Sequence, residues 1–149
     1  MKKLIGVAFL ALSVLLVTMP VEANTVTVSI DIKPGSCPNS INLKSKGVIP
    51  VAILTDGSFD ATTVDPTSVL FAGAAPLRWT IEDVETGSNN GPPDGDLDLL
   101  LFFKTQECKY DSVDNPDGMS PGDTFAPLTG ETFGGTPIFG YGSVNIVPK

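Results

Sequence analysis

Asp94, Asp96 and Asp98 stand at alternate positions around Gly95, and Leu99-Leu100-Leu101-Phe102-Phe103 follows at once. Like charges so close raise one another's pKa and are costly to hold together. A hard divalent cation such as Ca²⁺ removes that cost and takes the carboxylate oxygens as ligands. The chemistry on offer is therefore metal binding on a turn that runs into a buried strand. It is not an EF-hand: counted from Asp94, the sixth place is Leu99 rather than glycine, and the twelfth is Thr105 rather than glutamate. The alternative is a solvated acidic turn that keeps a strand edge from aggregating.

Few other residues offer chemistry. Histidine is absent, which removes the usual general base, the usual zinc ligand and every Ser-His or Cys-His pair. What remains for catalysis is a carboxylate pair, drawn from Glu82, Asp83 and Asp98. The cysteines are Cys37 and Cys108. In an oxidising compartment an even number favours a bridge, and closing so long a loop would stabilise the chain by about 4 kcal/mol. The alternative is two separate thiols, one or both buried. Asp111, Asp114 and Asp117 recur beside Gly118 and read as a mobile charged loop. Trp79, beside Arg78, is expected to be a core tryptophan between strands rather than a sugar-stacking platform. Tyr110 and Tyr141 are scattered and form no platform.

The elements that must position these residues read as strands. Val26, Val28, Ile30 and Ile32 alternate with polar residues, as on a half-buried strand. Val48 to Leu54 is apolar on both faces and predicts a core strand, although Pro50 argues for an edge, a bulge or a strand start there. Further strands are predicted over Thr67–Phe71, Leu77–Val84 and Leu97–Lys104, then at Phe125, Leu128, Ile138–Phe139 and Val144–Val147. The run 97–104 carries the strongest signal. With 15 Gly and 13 Pro, turns are dense, and no stretch beyond the first residues has a helical period. Short strands between such turns predict an all-β fold: an antiparallel β-sandwich, immunoglobulin-like in outline, with a barrel as the alternative.

Residues 1–23 have the layout of a signal peptide: Lys2 and Lys3, an apolar run from Leu4 to Met19, then Val21-Glu22-Ala23 before a cut at Asn24. An uncleaved anchor is the competing reading, but the run is short for a membrane span. Residues 24–149 are expected to form one domain, secreted to the periplasm or the extracellular space. The full chain has a net charge of −8, and losing Lys2, Lys3 and Glu22 makes the remainder more negative. Such a surface repels nucleic acid and anionic lipid, so no nucleic-acid partner is expected, and no membrane partner after cleavage.

The stretches IDIKPGSCPNSINLKSKGVIPVAIL (30–54), FDATTVDPTSVLF (59–71), APLRWTIEDV (75–84) and LTGETFGGTPIFGYGSVNIV (128–147) resemble a family of exported bacterial and archaeal proteins with the IDIKPGS signature. The family has no established activity, so the resemblance implies location and architecture. Many of its proteins carry an acidic loop of the form D-x-[DN]-G-D-G-x-x-D-L after an EDV segment. Carried over by position, Asp83 and Glu85 match its first two acidic places, and Asp94, Gly95 and Asp98 the later ones, with Asp96 between. Here residues 86–93 intervene where the compact loop has a single residue. The resemblance thus implies a calcium site of Asp83, Glu85, Asp94, Asp96 and Asp98, with carbonyls and water completing a typical 6–8 oxygens.

Two functional classes follow. One is a secreted, non-catalytic module that binds calcium structurally and contacts an extracellular protein, a glycan or a surface. The other is a carboxylate-dependent, glycosidase-like hydrolase acting outside the cell.

Overall fold

In the computed structural model, Thr18 and residues 23–84 and 92–148 are described. The fold is an all-β sandwich, immunoglobulin-like in outline. Ten strands run in chain order: β1 (Val26–Thr27), β2 (Ile30–Ile32), β3 (Ser40–Ile41), β4 (Val48–Ile53), β5 (Leu70–Phe71), β6 (Arg78–Glu82), β7 (Asp98–Lys104), β8 (Phe125–Glu131), β9 (Pro137–Ser143) and β10 (Asn145–Ile146). One four-stranded sheet has the order β1-β9-β8-β5 and the other β2-β4-β7-β6, while β10 and β3 form a small pair. The ladders are antiparallel except β1 with β9 and β10 with β3, which are parallel. Helical structure among the described residues is confined to three short 3₁₀ turns, Ala61–Thr63, Pro66–Ser68 and Thr105–Cys108.

Alternation decides what each strand buries. On β4 and β7 the residues Val51, Ile53, Leu99, Leu101 and Phe103 are fully buried between the sheets. They meet Phe71, Ala126, Leu128 and Ile138 of the facing sheet in one cluster, and the Phe71 and Phe103 rings lie 5.3 Å apart. Each such side chain contributes roughly 1.5–3 kcal/mol of burial. The opposite faces of β4 and β7 are covered too, because Val84 folds over Ala52 and Leu100. A strand buried on both faces has no polar positions, and this explains the unbroken apolar runs in the sequence.

The alternating run 25–32 does not form one strand. It divides at Val28–Ser29, so β1 joins one sheet and β2 the other. Gly140 and Gly142 of β9 make room for this crossing: a Cβ at Gly142 would strike the Ile32 side chain, and one at Gly140 would lie 2.9 Å from the Val28 carbonyl oxygen. Pro50 sits within β4, a central strand, opposite Phe102. It fits because the β2 ladder ends at Ile32↔Val51. The Pro50 carbonyl, which accepts from Lys33 N at 2.7 Å, faces that side. The proline nitrogen faces the same side, where no ladder acceptor remains, so the position is locally an edge.

Candidate functional site

The acidic residues gather at one end of the β6–β7 hairpin, whose last pair is Glu82↔Asp98. Asp83 leaves β6 and reaches across the connection. Its Oδ1 accepts from Asp94 N at 3.1 Å and its Oδ2 from Gly95 N at 2.8 Å. Gly95 has φ 94°, a left-handed conformation that glycine adopts without strain. Asp94 Oδ1 in turn accepts from Asp96 N at 3.0 Å. The two halves of the acidic motif therefore converge where Asp83 meets Asp94 and Gly95. Glu85 lies outside the described residues.

Asp98 takes a different role from the one its spacing suggests. It is buried, at 2 % exposure. Its Oδ1 accepts from Thr55 N at 2.8 Å, just past β4, and its Oδ2 from Val84 N at 3.1 Å, just past β6. Thr55 completes the junction: its hydroxyl donates to the Leu97 carbonyl at 2.6 Å and accepts from Ala61 N at 2.9 Å. Burial raises the Asp98 pKa, the two backbone hydrogen bonds oppose that, and the negative charges of Asp94 and Asp83 raise it further. Asp98 is thus a structural clamp on three strand ends. Thr55, its partner, carries no sequence signal that separates it from other loop threonines. Among the described residues no group of three or more acidic or cysteine side chains is placed to hold a metal ion. The oxygens of Asp83 and Asp94 have the chemistry of hard-cation ligands, but each hydrogen-bonded oxygen already has a backbone partner.

The expected Cys37–Cys108 bridge is not formed. Cys37 is exposed in the β2–β3 loop, before a cis Pro38, while Cys108 is fully buried at the end of the 3₁₀ turn after β7. Burial, helped by the neighbouring Glu107 carboxylate, pushes the Cys108 thiol up to about 12. The two residues sit in different environments because one belongs to a surface loop and the other to the intersheet core.

Trp79 is also not a core residue. It lies on β6, the edge strand of its sheet, and is 45 % exposed. Its cross-strand partner Leu101 is buried, so Trp79 points to the same inner face. The facing sheet ends at the two-residue strand β5, whose Phe71 packs on β7, and β6 overhangs it. Asp111 is used locally, accepting from Val113 N and Asp114 N at 2.8 and 3.0 Å, which lowers its pKa. Tyr110 and Tyr141 are exposed, and Tyr141 meets Phe139 edge-on.

A groove of about 460 Å³ lies between the 36–39 loop and the β9–β10 connection, with Asp31, Cys37, Asn39 and Ser143 in its wall. The Asn39 amide nitrogen donates to the Ser143 carbonyl at 3.0 Å, and its Oδ1 is buried with no hydrogen-bond partner among the described residues. Among the described residues lining the groove no two carboxylates face each other. Among the described residues no helix is long and apolar enough to cross a membrane. Family models, curated proteins and solved structures give no match to the chain.

Proposed function

We propose that this protein is an exported, non-catalytic β-sandwich module that acts by binding, of the kind its IDIKPGS resemblance implies. The convergence of Asp83 on Asp94 and Gly95 carries the reading of the acidic turn as a structural element that accepts calcium. Asp83 and Asp94 would supply carboxylate oxygens, with Asp96 beside them, and backbone carbonyls and water would complete the shell. Asp98 stays in the fold as the clamp beneath. The absence of histidine and the burial of Asp98 against two backbone donors weigh against a hydrolase. A glycosidase needs two carboxylates across a cleft from one another, whereas these gather on one turn.

Calorimetric titration and thermal melting in calcium against EDTA test the ion. We expect heat of binding, a melting temperature that rises with calcium by mass action, and weakening of both in Asp96→Ala. No heat and an unchanged melt at millimolar calcium would remove the ion and leave an acidic turn held by its own backbone. Turnover of a glycan or peptide substrate, abolished by Asp83→Asn, would overturn the non-catalytic reading.

A further inference from the structure

We infer that this protein pairs with a second copy of itself, edge to edge along β6, about a two-fold axis at Thr80. β6 is an edge strand, hydrogen-bonded to β7 on one side. No described strand pairs with its other side. Its sequence Arg78-Trp79-Thr80-Ile81-Glu82 is complementary to itself when read antiparallel. Pairing Thr80 with Thr80 of the second copy places Arg78 opposite Glu82, and Trp79 opposite Ile81, twice each. Directly opposed residues in an antiparallel pair share a face with Cβ atoms about 4.5–5.5 Å apart, close enough for ion pairs and apolar pairs to form.

Both faces of the strand support the pairing. On the inner face, Leu77, Trp79 and Ile81 are 53 %, 45 % and 44 % exposed, an apolar stripe left open where the facing sheet stops. A second copy would lay an identical stripe beside it, with Trp79 of each copy against Ile81 of the other. On the outer face, Arg78 and Glu82 are exposed, and neither joins the ion pair found among the described residues, Lys104–Glu107. Within the chain Arg78 lies over the Phe102 ring at 3.6 Å, and Glu82 stands opposite another acid, Asp98. An arginine from a second copy would give Glu82 a cation partner at contact distance.

The symmetry closes. Each copy uses β6 once, so the product is a dimer with one continuous sheet rather than a filament. The acidic excess of the chain opposes association at long range, but that repulsion is screened beyond about 8 Å at physiological ionic strength. The opposed Arg78–Glu82 pairs act at contact.

Light scattering behind size exclusion, and sedimentation of the purified protein over a range of concentrations, test this. We expect a dimer. Arg78→Glu and Glu82→Arg should each weaken it at least about tenfold, since each turns two attractions into two repulsions. The double variant R78E/E82R should dimerise again, because the pairs are merely exchanged. Mixing the two single variants should give a heterodimer, in which every Glu faces an Arg. Circular dichroism of each variant confirms that the sandwich is intact. A monomer at all concentrations, or a dimer that single reversals leave unchanged, would overturn the inference. So would single variants that stay apart when mixed.

Discussion

Asp98 joins Thr55, past the end of β4, to Val84, past the end of β6. Replacing it by alanine strands one buried and one half-buried N–H group, each costing about 1–3 kcal/mol when left unpaired, so urea unfolding of Asp98→Ala should show a loss of about 2–4 kcal/mol. Asp98→Asn keeps one acceptor and should lose about half as much. The sign of its pH dependence follows from the raised pKa. Between the usual 3.8 and its folded value, the native state holds more protons than the unfolded one. Stability therefore falls as pH rises through that window and is level above it. Asp56 and Asp60 work in the opposite sense. Hydrogen bonds from Ser58 and Thr62 lower their pKa values, so their contribution is present above 3.8 and is lost as pH falls through the folded values. Unfolding of wild type and Asp98→Asn in EDTA, compared from neutral pH down to 3.8, separates the two: the rise on mild acidification should be missing in the variant. Spacing alone marked Asp94, Asp96 and Asp98 as one set. Only the placement of Thr55 and Val84 turns the last of them inward.

At the scale of elements, turns are built by short side chains that accept from the backbone two residues on. Asp56, Asp60 and Asp65 each bind the N–H and hydroxyl of the Ser or Thr two places later, at 2.6–3.0 Å. This D-x-S/T recurrence is legible in the sequence. The β5 turn is not legible. Ala72 and Gly73 both have positive φ, 46° and 75°, and Asn115 donates from a loop forty-odd residues away to the carbonyls of Ala72, Glu107 and Lys109 at 2.8–3.0 Å. A Cβ on Gly73 would collide with the Asn115 amide. Gly73→Ala and Asn115→Ala should each destabilise by about 1–3 kcal/mol. The double variant should cost less than their sum, because removing Asn115 removes the collision. Additive losses in a double-mutant cycle would show that the two do not meet.

For the whole molecule, the cysteines report on the core. Cys108 is packed among the intersheet residues and Cys37 is not. A thiol reagent should titrate a single cysteine in the native protein and both in denaturant. Reaction of Cys108, with its pKa pushed up to about 12, should follow global opening of the sandwich. No reactive thiol in denaturant without reductant would show a bridge after all. The same architecture explains Trp79. A lone tryptophan on an alternating segment reads as core, and its side chain does face the inner side, yet the facing sheet ends before reaching it.

The sequence by itself determined the all-β class, the burial of β7 and the acid-rich turn before it. Strand alternation, apolar runs and Gly/Pro punctuation act over a few residues and are readable along the chain. The tertiary structure alone decided that residues 25–32 divide between two sheets, that Asp98 faces a backbone junction, that Cys37 and Cys108 stay apart and that β6 is left open. Each of these depends on which distant segment lies opposite, and no local period records that.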